Sequence, residues 1–200
     1  GRKAYIYYTQ PLRIPIENAD ILGFRVNALL GQHLEASGFD LVGDGTAPQG
    51  MYNLSSSDKF IFEDPGLRAK MVDTKKMAQD FGADFIIMPI LSARSLRLDF
   101  PYTTATWDGV KRRVPTENNP GGGWHDNIGI SWEVVVVNAR GEIVLTGICG
   151  VDFAYKSVKN VKGMEESVSL KPRDGQEISD DVILEAIQVG LHPFIPSDIY

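Results

Sequence analysis

The segment from residue 128 to residue 153 limits the possible folds of this chain most strongly, because its apolar residues alternate with other residues in two runs. The first run has Ser131 and Glu133 on one face and these apolar residues on the other: Ile128, Ile130, Trp132, Val134 and Val136. The turn-forming residues 138–141 separate it from a second run. The apolar residues of that second run are Ile143, Leu145, Cys149, Val151 and Phe153. The pattern predicts a long antiparallel hairpin with one face against a core.

Upstream of this hairpin, strand patterns and helix patterns alternate along the chain. The predicted strands are residues 4–8, 39–43 and 83–91. Between them, one helix ends at Gly38, and a second begins with Asp64 and Pro65 as cap and first residue and ends at Gly82. Because helical crossovers join parallel strands, we expect these three strands to pair in parallel.

The strand at residues 83–91 contains a proline and is followed by a further alternation. Pro89 has no N–H to donate, so it predicts a bulge or an edge position. Beyond it, Leu96, Leu98 and Phe100 recur at every second position. The alternation predicts that the strand runs past the core with these three side chains on its apolar face.

A last helix completes the predicted order of elements. It opens at Ser179 and is stopped by Pro193 and Pro196. The order β-α-β-α-β-β-β-α predicts an α/β (α+β) fold, in which helices pack on a mixed sheet of about five strands. A chain of 200 residues fits one domain, with a core spanning 4–195.

Residues 100–127 form an insert between the third strand and the long hairpin. Asp108-Gly109 lies between two strand-prone runs, a strong signal for a two-residue hairpin turn. The insert combines aromatic and arginine side chains, which are enriched at the centres of protein interfaces. We therefore predict the partner-binding residues Tyr102, Trp107, Arg112, Arg113 and Trp124. The alternative is an insert that folds back and buries its tryptophans.

The end of the insert, residues 118–127, has the sequence NNPGGGWHDN and suggests a second kind of site. A ligand site built on His125 and Asp126 would make the chain a small-molecule-binding protein or a hydrolase-type enzyme. The three glycines precede a strand and do not open a helix, so they lack the context of a phosphate-binding loop. The stretch is better interpreted as the return of the inserted arm.

The composition excludes several classes of function. The formal net charge is −6, so the overall field repels nucleic acid and anionic lipid, and only a local patch such as Lys111-Arg112-Arg113 could bind either. The alternative for that run is a solvated surface. No apolar run approaches the roughly 20 residues that cross a bilayer. The one cysteine, Cys149, lies on the core-facing side of its strand, and the three histidines lack the spacing of metal ligands. We predict no catalytic residue, no metal, no cofactor and no nucleic-acid partner.

Three short motifs give the chain a resemblance to a family of bacterial envelope proteins. One helix ends in Gly38-Phe39 and a second in Gly82-Ala83-Asp84, each before a strand, and the hairpin turns through Asn138-Ala139-Arg140-Gly141. Over about residues 4–155, this pattern resembles the amino-terminal domain of TolB, the LpoB-type penicillin-binding-protein activators, and the CsgG and GNA-type lipoproteins.

The resemblance implies a non-enzymatic role in the periplasm or at the outer membrane, in binding a partner protein or in forming a homo-oligomer. The chain opens with GRKAYIYY and no initiator methionine, so we expect that a signal peptide has been removed. The resemblance implies a lipid tether on a cysteine at the mature N-terminus. This sequence departs from the family there, since its one cysteine is Cys149, so the tether is an expectation about a segment before Gly1. The sequence leaves a cytoplasmic location open. A pore like that of CsgG proteins is not expected, because a membrane strand needs about 9–11 alternating residues and the basic run 111–113 interrupts the one candidate hairpin.

Overall fold

The computed structural model describes residues 1–7, 19–43, 73–113, 127–159, 167–172 and 178–198. Its strands are β1 (Arg2–Ile6), β2 (Phe39–Leu41), β3 (Phe85–Ser95), β4 (Leu98–Asp99), β5 (Thr104–Trp107), β6 (Val110–Arg113), β7 (Asn127–Asn138), β8 (Ile143–Lys159) and β9 (Ser167–Pro172). Its helices are α1 (Ala19–Ala36), α2 (Thr74–Phe81) and α3 (Asp180–Leu191).

Six strands form the main sheet of the described residues, in the order β2-β1-β3-β7-β8-β9. Strand β1 pairs in parallel with β2 and β3, as the predicted helical crossovers require. The remaining neighbours, β3–β7, β7–β8 and β8–β9, are antiparallel. The predicted mixed sheet with packed helices is confirmed, and the predicted long hairpin is the β7–β8 pair.

The last strand of the main sheet is missing from the sequence prediction. Its residues carry only two apolar side chains, Val168 and Leu170, among polar ones, which is a weak strand signal. Pairing with residues 154–159 of β8 defines both segments as strands. Here tertiary pairing outweighs the local pattern.

The helices cover both faces of the main sheet. Helices α1 and α3 pack on one face, over the larger core, and α2 packs on the other face, over a smaller one. The larger core includes Leu30, Leu34, Trp132, Phe153 and Ile187. The smaller core includes Ala78, Ile86, Met88, Val135 and Val137.

The ends of the helices follow their sequence signals. Gly82 ends α2 in the left-handed conformation with a φ of 64°, and Ser179 caps α3 through its side chain, both as predicted. The described α2 begins at Thr74 with Asp73 as its cap. The helix start predicted at 64–65 lies outside the described residues.

Strand β3 passes Pro89 without a bulge. Its paired register with β1 ends at Ile87, whereas its pairing with β7 continues through Pro89. Pro89 therefore lies beyond the last residue that pairs with β1, as its missing N–H favours.

The strand predicted to run on past the core is divided, because β3 ends at Ser95 and Leu98 belongs to β4 in a separate sheet. The predicted alternation is also wrong at its last member. Leu96 is buried and Leu98 packs against the core, but Phe100 is 86% exposed. Strand β4 ends at Asp99 and the chain then turns, because Pro101 has no N–H to donate to a neighbouring strand. Phe100 therefore leaves the apolar face.

The thiol of Cys149 is predicted to be unreactive in the folded chain. Cys149 is 1% exposed and belongs to the larger core, as predicted from its position on the core-facing side of its strand. Burial, with the nearby charge of Glu185, raises the pKa of this thiol to about 11. Only about one thiol in a thousand is then ionised at pH 8. We expect Ellman's reagent to label the chain at pH 8 only after unfolding in guanidinium, whereas labelling of the folded chain within minutes would contradict this.

Candidate interaction surface

Strands β4, β5 and β6 form a separate antiparallel sheet, named the small sheet here. Trp107 and Val110 pair across the turn Asp108-Gly109, whose φ angles are 42° and 81°. Positive φ at both positions matches the two-residue I′ turn that Asp-Gly favours. The predicted hairpin in the insert is therefore confirmed.

The two faces of the small sheet have different environments. The inner face packs against the main sheet with Leu98, Ala105, Trp107, Val110 and Arg112. The alternate positions make the outer face, on which Thr106, Lys111 and Arg113 are exposed. The small sheet therefore lies over the main sheet and presents a polar surface outward.

Trp107 attaches the small sheet to the main sheet. It is 7% exposed, its ring centroid lies 5.2 Å from that of Phe153, and its indole N–H donates to the carbonyl of Ile130 at 3.4 Å. Two glycines make room for it, since a Cβ on Gly129 would lie 2.6 Å from the indole and one on Gly150 2.9 Å from it. For Trp107, the structure corresponds to the alternative in which the insert folds back.

A polar cluster holds the turn of the small sheet on β3 and β7. The carboxylate of Asp108 accepts a hydrogen bond from the hydroxyl of Ser131 at 2.5 Å and lies 3.2 Å from Arg94. Arg94 also pairs with Glu133 at 3.3 Å. The backbone carbonyl of Asp108 accepts from the N–H of Gly150 at 2.9 Å. Because the three charged side chains are only partly exposed, this cluster orients the small sheet more strongly than a surface ion pair would.

Two aromatic side chains, Phe100 and Tyr102, form the aromatic tip at the β4–β5 turn. Phe100 is 86% exposed, Tyr102 is 43% exposed, and their ring centroids lie 5.8 Å apart. Tyr102 has a φ of 70°, which is rare for a bulky residue and has to be held by its surroundings. The carboxylate of Asp99 accepts hydrogen bonds from Thr104 at 3.3 Å and Thr106 at 2.8 Å, and so ties the turn to β5.

Three exposed cations, named the basic rim, lie on the small sheet or directly before it: Lys111 and Arg113 on β6, and Arg97 just ahead of β4. Lys111 pairs with Thr106 and lies nearer the Asp108-Gly109 turn. Arg113 pairs with Thr104, which in turn pairs with Asp99, so Arg113 lies at the end of the small sheet that carries the tip. Within the described residues, no salt bridge neutralises any of the three.

The structure separates the predicted partner-binding residues. Tyr102 and Arg113 are exposed, whereas Trp107 is buried and Arg112 points inward, where its Nε donates to the carbonyl of Val151 at 3.1 Å. Trp124, His125 and Asp126 lie outside the described residues.

Phe100 belongs to this surface but was not among the predicted site residues. The proline directly after it was the sequence signal that could have identified its exposure, since proline interrupts strand pairing.

Within the described ranges, no group of three or more histidine, cysteine or carboxylate side chains is arranged to hold a metal ion. No described helix has both the length and the apolar character needed to span a membrane.

Comparison with known proteins adds little to these observations. No family model matches the chain, and no curated protein matches it. Among solved structures, it is similar to lipoprotein GNA1162 from Neisseria meningitidis, at 13% identity over 74% of this chain and 81% of that one, with a TM-score of 0.36. A TM-score of this size marks a weak likeness, so the assignment of function depends on the residues of this chain.

Proposed function

We propose that this chain is a non-enzymatic, extracytoplasmic module of the cell envelope that binds a partner protein, which includes assembly with further copies of itself. Its contact surface is the aromatic tip with Arg113. The proposal rests mainly on the exposure of Phe100, a large apolar side chain that is 86% exposed in the β4–β5 turn. The envelope location and a lipid tether rest on the sequence resemblance.

The chemistry of the tip supports a protein partner. Tyrosine, phenylalanine and arginine are enriched at the centres of interfaces, where an aromatic ring fills a pocket and loses little conformational entropy. Exposed single aromatics are common on protein surfaces, and Phe24 on α1 is one, at 69% exposure. The tip differs from Phe24 because two rings stand together on a backbone braced by Asp99, so the partner meets a preformed shape.

The test compares Phe100→Ala with Phe24→Ala in the full chain, each used to recover partners from envelope extract of the source organism. Truncation of a central aromatic costs an interface about 2 kcal/mol, so Phe100→Ala is expected to lower recovery of the specific partner about 30-fold. Phe24→Ala should leave recovery unchanged. Both residues are exposed, so we expect both variants to stay within about 0.5 kcal/mol of the parent in free energy of unfolding.

A cross-linking experiment on the same two positions provides an independent measurement. A photoreactive phenylalanine analogue at position 100 should give a discrete adduct, and the same analogue at position 24 should not. Equal recovery by both alanine variants, with no adduct specific to position 100, would remove the tip from the binding surface.

A further inference from the structure

We infer that the partner presents an acidic surface, which the basic rim of the small sheet recognises when the aromatic tip is bound. This inference rests on the proposed function and names the chemistry of the partner. The rim contributes three positive charges at exposed side chains, Arg97, Lys111 and Arg113, to a chain whose formal net charge is −6.

The one acidic residue on the outer face of the small sheet, Asp99, offsets one of the three positive charges and leaves two. Asp99 is half-buried, and its carboxylate accepts hydrogen bonds from Thr104 and Thr106. Four other arginines of the described residues form ion pairs, as Arg94 does with Asp108 and Arg25 with Asp180, and Arg2 lies over the ring of Phe39. The rim cations therefore remain available to a partner, and charge complementarity requires acidic groups opposite them.

The negative net charge of the whole chain favours some anionic partners over others. An extended polyanion, such as nucleic acid or an anionic bilayer, meets the negative field of the entire molecule as well as the rim. Screening limits the range of interactions between exposed charges to about 8–10 Å at physiological salt. An acidic patch on a protein, which is no larger than the small sheet, therefore interacts mainly with the rim. The basic rim thus favours a protein with a local acidic surface.

The test measures adduct formation by the full chain with the photoreactive analogue at position 100. In this background, Lys111→Glu/Arg113→Glu reverses two rim charges. Lys3→Glu/Lys75→Glu reverses two exposed charges near the opposite end of the main sheet as a matched control, since neither lysine forms a salt bridge within the described residues. We expect the rim variant to lose about tenfold or more of the adduct, and the control to retain it. The parent adduct should also decrease between about 50 and 300 mM salt.

The outcomes distinguish failure of the acidic-partner inference from failure of the proposed protein-binding function. An adduct that survives rim reversal and high salt would overturn the acidic partner and leave the protein-binding function standing. Absence of any adduct from the parent chain would overturn the proposed function and this inference with it. Co-sedimentation with phosphatidylglycerol vesicles, absent with phosphatidylcholine vesicles and abolished by Lys111→Glu/Arg113→Glu, would assign the rim to lipid and overturn the acidic protein partner.

Discussion

Gly147→Ala is expected to lower the free energy of unfolding by about 3 kcal/mol or more, at the upper end of the cost of overpacking a core. A Cβ at this position of β8 would lie 1.7 Å from the carbonyl oxygen of Gly190 and 2.7 Å from its carbonyl carbon. The obstacle is helix backbone, which cannot rotate aside as a side chain can. Helix α3 would have to move away from β8 and withdraw the buried side chains of Ile183 and Ile187 from the core. Urea denaturation followed by circular dichroism measures this loss.

A second glycine provides the control for this prediction. A Cβ on Gly31 of α1 would meet only the end of the exposed Leu41 side chain, at 3.2 Å. Alanine is favoured over glycine inside a helix by up to about 1 kcal/mol, so Gly31→Ala should not destabilise the chain. Equal losses for the two variants would show that the close approach of β8 and α3 is not what makes position 147 sensitive.

Trp107→Ala is expected to cost about 3–5 kcal/mol, the usual range for removing a buried tryptophan. The loss should fall first on the small sheet, because Trp107 fills the space that Gly129 and Gly150 leave open and contacts Phe153. We therefore expect the small sheet to detach, which limited proteolysis would detect as new cleavage within residues 96–113. Detachment would also release the aromatic tip from its braced position.

Two variants serve as controls for this tryptophan. Trp107→Phe keeps a six-membered ring in the core but removes the indole Nε1 that lies against Gly129 and Gly150 and donates to Ile130, so it should cost clearly less than alanine but more than nothing. Phe100→Ala, on the same small sheet but exposed, should leave the proteolysis pattern unchanged. If Trp107→Ala keeps both its stability and its protease resistance, the indole does not hold the small sheet in place.

The sequence predicted the candidate surface in part. The Asp108-Gly109 turn was predictable because a two-residue hairpin needs positive φ at both positions, and this pair tolerates it. Tyr102 and Arg113 were correctly placed on an exposed surface, but their role in binding remains a proposal. The period-2 pattern also implies that Arg112 and Arg113 lie on opposite faces. Which face turns inward depends on the main sheet.

The sequence by itself determined the elements whose signals are local. Alternation defined the β7–β8 hairpin, and the two helical crossovers defined the parallel pairing of β1 with β2 and β3. Gly82 marked a helix end because its left-handed backbone conformation favours glycine, and Ser179 marked a helix start because its side chain accepts a hydrogen bond from the N–H of Val182.

Only the tertiary structure decided where the insert lies. Trp107 is buried because Gly129 and Gly150, which come later in the sequence and on two different strands, leave the volume its ring occupies. Strand β9 exists because β8 provides the partner for its backbone groups. Phe100 is exposed because the chain turns at Pro101 before the alternation can carry its side chain inward. Packing volume and strand pairing join residues far apart in the chain, and no local pattern contains that information.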